Sequence, residues 1–180
     1  LVTAADARNS YPKSTLETNI GDGAAALVIG SGDGLLAEID YFTSVNEEIN
    51  DYWRNAKEPY VRHAEGRFCD EEGYLRETQL VMKKLMAETG LAPDAFTKVV
   101  LTAQNLKLRG KAAAKLGFAA EQLADTYLLQ AGDTGSAQAM LGLVGALECA
   151  SAGDRILVID YGNGANALVL TVTDGIAKLC

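Results

Sequence analysis

The stretch Gly162 to Leu170, G-N-G-A-N-A-L-V-L, has an earlier counterpart in Gly21 to Ile29, G-D-G-A-A-A-L-V-I, and this pair is the strongest indication of the fold. The two copies lie 141 positions apart. Each follows an apolar run that ends in a polar residue, Asp6 in the first case and Asp160 in the second. Such a repeat indicates a duplicated structural unit, although chance similarity between two glycine-rich turns is the alternative. A duplicated protein would place here the end of one unit and the whole of the next, with the rest of the first unit upstream of Leu1.

Composition narrows the class of protein. The 180 residues are 48% hydrophobic and 22% charged, which is typical of a globular domain. The net charge of −8 argues against nucleic acid as a partner, because phosphate backbones require a basic surface. No apolar run approaches the roughly 18 residues of a membrane span, so no membrane partner is expected. The three cysteines and the single histidine, His63, show no zinc-site spacing. We therefore expect no metal, no disulfide and a cytoplasmic location.

Hydrophobic periodicity predicts an α/β protein. Strands are expected at 1–6, 24–29, 35–45, 98–101, 155–161 and 165–172, and helices at 71–89, 106–116 and 136–150. From residue 35 onward strands and helices alternate, and the last two strands form a hairpin across Gly162-Asn163-Gly164. The glycine-rich break at residues 30–34 places a boundary between residues 1–30, the tail of the first unit, and residues 31–180, the second unit.

Four motifs in this order resemble the thiolase superfamily, in particular ketoacyl-acyl-carrier-protein synthase III and the hydroxymethylglutaryl-CoA synthase-like proteins. They are G-D-G-A-A-A at 21–26, L-T-A-Q-N-L at 101–106, G-D-T-G-S at 132–136, and G-D-R-I-L at 153–157 followed by Y-G-N-G-A at 161–165. The resemblance implies the C-terminal half of such a protein. Its fold would be a mixed five-stranded sheet covered by helices, plus a two-stranded remnant of the N-terminal half.

The resemblance also implies which residues form the site. The family uses a cysteine of the first half to take up the acyl group. A histidine and an asparagine of the second half supply the donors that stabilise the thioester oxyanion or the enolate. The histidine position is Thr102 and the asparagine position is Asp133, whereas Asn105 matches the family. We therefore predict Thr102, Asp133 and Asn105 as catalytic residues. Substrate-binding residues are predicted at Thr134, Gly135, Gly162, Asn163 and Gly164.

Both substitutions change the chemistry that the family would perform. The Thr102 hydroxyl donates one hydrogen bond but does not titrate near neutral pH. An ionised Asp133 accepts hydrogen bonds and would repel a developing enolate, unless it acts as a base or is kept protonated by burial. Purely structural roles are equally open: a polar strand end for Thr102, a helix cap for Asp133-Thr134, and a hairpin turn for residues 162–164.

The function implied by the resemblance is formation or cleavage of a carbon–carbon bond at an acyl-CoA or acyl-carrier-protein thioester, with no cofactor beyond that substrate. The chain alone is predicted to be inactive, because Cys69, Cys149 and Cys180 are all in poor settings for a nucleophile. Its partners would be the missing N-terminal half and, in a homodimer, a second copy of the protein. The alternative is a degenerate, non-catalytic module that binds acyl-CoA or serves as a scaffold, with a small OB-fold protein as a further partner.

Three further features have both a structural and a functional interpretation. His63 lies in a polar stretch that is typical of a surface loop. Trp53-Arg54 would either pack within its loop or stack on a CoA adenine. The basic residues of the second helix are expected to form a solvated face or to meet a substrate phosphate; they are Lys107, Arg109, Lys111 and Lys115.

Overall fold

The computed structural model describes residues 1 to 179, which contain eight β-strands and four α-helices. The strands are β1 (Val2–Asp6), β2 (Gly23–Leu27), β3 (Ala37–Val45), β4 (Tyr52–Trp53), β5 (Arg62–His63), β6 (Lys98–Leu101), β7 (Arg155–Tyr161) and β8 (Ala165–Val172). The helices are α1 (Gly66–Phe68), α2 (Arg76–Thr89), α3 (Leu106–Leu116) and α4 (Gln138–Glu148). This is the α/β architecture that the sequence predicts.

The main sheet is mixed and has the strand order β3-β8-β7-β6. β6 and β7 are parallel, and the other two pairings are antiparallel. Four strands are present where five were expected. The fifth position, beside β6, is reduced to a single bridge between Val99 and Leu123. The chain turns away there because the Gln122 side chain donates to the carbonyl oxygens of Pro93 and Phe96 and holds a 3-10 turn at this edge.

Helices cover both faces of this sheet. Leu157 and Ile159 of β7 face the core that includes residues of α2 and α3, whereas Ile156 and Val158 face the core that includes α4. Burial on both faces explains why β7 reads as a continuous apolar run rather than an alternating one. Each such side chain contributes about 1.5 to 3 kcal/mol when it is fully buried. Across residues 1 to 179, no helix is both long enough and apolar enough to span a membrane.

The helix boundaries follow from local signals. Asn105 caps α3, and Gly117 ends that helix in the left-handed region at φ +80. The predicted helix at 71–89 begins earlier and less regularly, because α1 and a π-helical segment, Cys69–Leu75, precede α2. In α4, a side chain at Gly142 would come within 2.6 Å of Val100, so this glycine lets the helix pack closely on β6.

The repeated sequence is also repeated in structure. Both copies begin the returning strand of an antiparallel hairpin, since Ala24 pairs with Ala5 and Ala165 pairs with Tyr161. β1 and β2 form the separate two-stranded sheet that was predicted as a remnant. The connections differ in length, because residues 7–22 join the first pair of strands and only Gly162 to Gly164 join the second. The division at residue 30 remains a prediction.

The turn of the second hairpin supplies a test of the fold. Gly164 adopts φ +120, a conformation essentially restricted to glycine, and a β-carbon there would overlap the carbonyl oxygen of Val45. We expect Gly164→Ala to lower the free energy of unfolding by about 3 kcal/mol, measured by urea denaturation. Gly162→Ala is the matched control, because a β-carbon at Gly162 meets open space. Equal stability of the two variants would contradict this account.

Candidate functional site

A cavity of about 520 Å³ lies at the carboxyl ends of the parallel strands β6 and β7. This is where open α/β sheets usually bind ligands. Most of its lining comes from five segments: the end of β1, the β4 strand, the residues after β6, the loop before α4, and the turn after β7. Val61 and Tyr74 complete it. The cavity therefore joins parts of the chain that are far apart in sequence.

Five of the eight predicted site residues line this cavity. They are Thr102, Asp133, Gly135, Gly162 and Asn163. Thr102 is only 5% exposed and follows β6 directly, and Asp133 is 6% exposed. The sequence motifs at the strand end, the loop before α4 and the β7–β8 turn thus meet around one volume.

The other three predicted residues are not among those that line the cavity. The Asn105 side chain accepts a hydrogen bond from the Leu108 backbone nitrogen at 2.9 Å and acts as the α3 cap. Thr134 is completely buried, and Gly164 packs against the backbone of Val45. A structural role therefore accounts for Asn105 and Gly164 without a ligand.

Thr102 is engaged with a carboxyl group that the sequence analysis did not single out as a site residue. Its hydroxyl donates to Oδ1 of Asp160 at 2.8 Å, and Asp160 also lines the cavity. Burial raises the pKa of Asp160, and the charge of Asp133 adds to this effect, while the hydrogen bonds from Thr102 and the Tyr161 backbone oppose it. The protonated form of Asp160 is consequently more favourable than that of a solvent-exposed aspartate. The sequence does carry a signal for Asp160, because it is the polar residue that ends the apolar run of β7.

Replacing Asp160 with asparagine tests this description through pH dependence. Because the pKa of Asp160 is raised in the folded state, protonation of Asp160 contributes to the stability of the wild-type protein. This contribution is complete below the unfolded-state pKa and is lost as the pH rises through the folded-state pKa. Asparagine keeps an acceptor oxygen for Thr102 but does not titrate. We expect the midpoint of thermal unfolding of Asp160→Asn, relative to wild type, to increase from about pH 4 to about pH 8. A difference that does not change with pH would contradict a raised pKa.

Asp133 lies in an ion pair that changes the expectation drawn from its charge. Nη2 of Arg8 is 3.0 Å from Oδ1 of Asp133, and both side chains are about nine-tenths buried. Arg8 also donates to the Asp133 carbonyl oxygen, and the Gly135 nitrogen donates to Oδ1. The guanidinium lies 5.6 Å from the centre of the Tyr52 ring. Arg8 therefore compensates the negative charge that an ionised Asp133 would present to an enolate.

The N-terminal residues also hold the backbone of Asp133. Its nitrogen donates to the Asn19 carbonyl oxygen at 2.7 Å, and the Gly21 nitrogen donates to its carbonyl oxygen at 2.9 Å. Ile20 and Asp133 form a parallel bridge. Asp6 accepts from the Ser136 nitrogen at 3.3 Å. Of these first 30 residues, Asp6, Ala7 and Arg8 line the cavity itself.

Gln138, at the start of α4, is a hydrogen-bond donor that sequence reasoning missed. It lines the cavity and is 2% exposed. Its Oε1 accepts from the Ala103 nitrogen at 2.8 Å, which fixes the orientation of the amide and leaves Nε2 without a partner among residues 1–179. The sequence could have identified Gln138 as a site residue, because it is the one polar side chain between Ala137 and Leu147.

The basic residues of α3 differ in exposure. Lys107, Lys111 and Lys115 are exposed, as a solvated face requires, and Lys111 forms an ion pair with Glu71. Arg109 is 8% exposed, and its guanidinium donates to the carbonyl oxygens of Leu101 and Ala124. The expectation of a solvated face is therefore wrong for Arg109, which ties α3 to the end of β6 and the chain beyond it.

Two residues between β4 and α2 also differ from expectation or refine it. His63 is not a free surface residue, because its Nε2 lies 2.7 Å from Oδ1 of Asp51 and the side chain is 23% exposed. Cys69 is 1% exposed, and burial together with the charge of Asp51 raises the pKa of its thiol to about 11. A thiol in this state is a poor nucleophile.

Trp53 is 41% exposed and, with Arg54, lines the cavity. This position is compatible with packing in its loop and with stacking on a CoA adenine.

Comparison with known proteins agrees with the fold. No family model matches the chain. Hydroxymethylglutaryl-CoA synthase of Aeropyrum pernix is 38% identical over 99% of this chain and 50% of its own length. A solved HMG-CoA synthase complexed with CoA matches 98% of this chain and 50% of its own, with a TM-score of 0.81 and 22% identity. 3-Oxoacyl-[acyl-carrier-protein] synthase III from Aquifex aeolicus matches 88% of this chain and 52% of its own, with a TM-score of 0.75 and 22% identity.

The mixed sheet, the helices that cover it and the separate two-stranded sheet form a thiolase-like fold. The chain belongs to the thiolase-like superfamily, and hydroxymethylglutaryl-CoA synthases are among the curated relatives that match it. It spans about half the length of those relatives.

Proposed function

We propose that the protein condenses acyl thioesters, carried on CoA or acyl-carrier protein, and that this chain supplies one side of the active site. The observation that carries the proposal is the meeting of three motifs around one cavity: Thr102 after β6, Asp133 before α4, and Gly162-Asn163 after β7. The similarity to hydroxymethylglutaryl-CoA synthases along nearly the whole chain supports the same reaction class.

The reaction proposed is the joining of two thioesters. The α-carbon of one acyl group attacks the carbonyl carbon of the other, so that one carbon–carbon bond forms and one carbon–sulfur bond breaks. The thiol of one carrier leaves with the proton that the α-carbon has lost. The reverse direction cleaves the same bond. No cofactor is needed beyond the thioester itself.

The residues of the cavity have distinct roles in this proposal. Developing negative charge on a carbonyl oxygen is stabilised by donors that are already in place. Nε2 of Gln138 is such a donor, and protonated Asp160 can supply a proton. Thr102 positions Asp160, and Arg8 removes the repulsion that Asp133 would otherwise exert on an enolate. The nucleophilic cysteine is proposed to come from the other half of the protein, since the buried Cys69 thiol is a poor nucleophile.

The remaining expectations belong to the same proposal. The N-terminal half of the protein packs against this chain, two copies form a homodimer, and residues 31–180 constitute the second thiolase-like half. The protein acts in the cytoplasm, and this chain alone has no activity.

The experiment is an assay of the full-length protein with acetyl-CoA and a second acyl-CoA. Free thiol is measured with a colorimetric reagent, and products are identified by mass spectrometry. One thiol released for each new carbon–carbon bond is the expected result. Binding of acyl-CoA without thiol release would favour the non-catalytic alternative, and absence of both binding and turnover would contradict both functions.

The alternative, a non-catalytic module that binds acyl-CoA or acts as a scaffold for a small OB-fold protein, rests on one observation. The Thr102 hydroxyl that replaces the family's titrating histidine already donates to Asp160 and has no second proton to give. Both functions predict that Asp160→Asn still binds acyl-CoA. The catalytic proposal requires turnover in wild type that this variant loses, whereas the non-catalytic module has no turnover in either protein.

A further inference from the structure

Three metal-ligating side chains converge at the edge of the cavity, and none of them has a role in the proposed condensation. They are Asp51, directly before β4, His63 in β5, and Cys69 at the start of the π-helical segment. One ligand atom from each lies within 4.8 Å of the other two. The Asp51 and His63 side chains are 9% and 23% exposed, and Cys69 is 1% exposed. Carboxylate oxygen, imidazole nitrogen and thiolate sulfur are all zinc ligands in proteins.

The backbone holds these three residues in place. His63 pairs with Tyr52 across the β4–β5 ladder, and the Ala64 nitrogen donates to the Asp51 carbonyl oxygen at 2.9 Å. The Cys69 nitrogen donates to the Glu65 carbonyl oxygen at 3.1 Å. The cluster therefore belongs to the folded hairpin and the helical segment that follows it, and does not depend on a flexible loop.

The orientation of the Asp51 carboxylate is also determined. Nε2 of Gln104 donates to Oδ2 at 2.6 Å, which leaves Oδ1 facing His63. A hydrogen bond of this kind, to the oxygen that does not bind the metal, is the usual outer-shell support of a metal ligand.

The contact between Asp51 and His63 has an unusual geometry. Oδ1 and Nε2 are 2.7 Å apart, yet neither atom has a hydrogen-bond partner of acceptable angle among residues 1–179. Both atoms are buried, and a buried polar atom without a partner costs about 1 to 3 kcal/mol. A cation bound by both lone pairs would satisfy the two atoms together.

We propose that Asp51, His63 and Cys69 bind a zinc ion at this position. Zinc bonds of about 2.0 to 2.3 Å place tetrahedral ligand atoms roughly 3.3 to 3.7 Å apart. Oδ1 of Asp51 and Nε2 of His63 are 2.7 Å apart, and all three ligand atoms lie within 4.8 Å of one another. These separations bracket the zinc range, so side-chain shifts of about 1 Å complete the geometry. The nearby carboxylates of Asp70 and Glu65 add negative charge that attracts a divalent ion.

Such an ion would join the β4–β5 hairpin to the segment that leads into α2. Asp51, Tyr52 and Trp53 also line the cavity, so the ion would fix this wall relative to the helix. The linear sequence gives no sign of the site, because residues 51, 63 and 69 match no zinc-binding spacing.

The test uses the full-length protein, freed of metal with a chelator and kept reduced, and titrated with Zn²⁺ by calorimetry. We expect one zinc ion per chain at this site. Cys69→Ser and His63→Gln should each weaken binding by more than about 100-fold, the upper end of what loss of an outer-shell partner costs. Cys149→Ser is the matched control, because Cys149 is an exposed free thiol at the end of α4. Gln104→Ala should weaken binding by about 10-fold.

A second measurement on wild-type protein does not depend on how the variants fold. Co²⁺ bound at this site should give a near-ultraviolet absorption band from thiolate-to-cobalt charge transfer, present in Cys149→Ser and absent in Cys69→Ser. Absence of zinc binding would overturn the proposal. So would equal binding by Cys69→Ser and wild type, or a cobalt spectrum without the thiolate band, because Asp51 and His63 would then form an ordinary ion pair.

Discussion

Replacing Arg8 with alanine is expected to lower the free energy of unfolding by about 3 to 5 kcal/mol. The Arg8 side chain is 11% exposed and that of Asp133 is 9% exposed, so the variant leaves a carboxylate buried without its counter-ion. The Asp133 carbonyl oxygen loses a hydrogen bond at the same time. Breaking one side of a buried ion pair costs far more than the net value of the pair, because the remaining charge cannot be solvated. Urea denaturation measures the difference.

Two controls make this result specific. Arg62→Ala breaks an ion pair with Glu58 in which the arginine side chain is 44% exposed and the glutamate side chain is 30% exposed. It should lower the free energy of unfolding by at most about 1 kcal/mol. Adding Asp133→Asn to Arg8→Ala should restore part of the lost stability, because the uncompensated charge is gone. If Arg8→Ala behaves like Arg62→Ala, the ion pair does not hold Asp133, and the explanation of how its charge is neutralised is wrong.

Replacing Gln138 with leucine in the full-length protein is expected to lower kcat by about 100-fold with little change in KM. The reason is that loss of a single oxyanion donor costs roughly 100- to 1,000-fold in kcat. The donor matters mainly once charge has developed on the carbonyl oxygen, so substrate binding in the ground state should change less. The measurement is steady-state kinetics of thiol release from acyl-CoA.

Gln138→Glu tests the donor through its pH dependence. Glutamate keeps an oxygen to accept from the Ala103 nitrogen, but in place of the unpartnered Nε2 it has an oxygen that donates only when the carboxyl group is protonated. We expect the kcat of this variant to fall further below that of wild type as the pH rises and the carboxyl group ionises, while the kcat of Gln138→Leu is low at every pH. Gln130→Leu is the control, because the Gln130 side chain is exposed and donates to Asp125. A kcat of Gln138→Leu equal to that of wild type would exclude the donor role.

Local signals in the sequence were enough to predict most elements of the fold. Helix α3 was predicted with the bounds that the structure has, because apolar periodicity between Asn105 and Gly117 is closed by a cap at each end. β7 was predicted as a buried strand from its apolar run. The π-helical segment was missed, because no residue pattern distinguishes a π-helical turn from the first turn of a regular helix.

The site was harder to predict, because its chemistry depends on contacts between distant residues. Arg8 and Asp133 are 125 residues apart, so the sequence showed a carboxylate without its counter-ion. Thr102 and Asp160 belong to neighbouring strands and are 58 residues apart. Motif matching located the cavity through Thr102, Asp133 and Gly162, but only the pairing of strands identified Asp160 as a partner of Thr102.

The backbone pairing of Asn19 to Gly21 with Asp133 limits how such proteins can be recombined. In a chimera that joins residues 31–180 to the first part of a relative, the segment that pairs with the Asp133 backbone would come from the relative. The ion pair of Asp133 would remain only if the relative has an arginine at position 8. Gly21 cannot be exchanged freely either, since a β-carbon there would overlap the Ala131 carbonyl oxygen. We therefore expect the first 30 residues and the loop at 131–135 to be inherited as a pair, and functional crossovers to fall on either side of both.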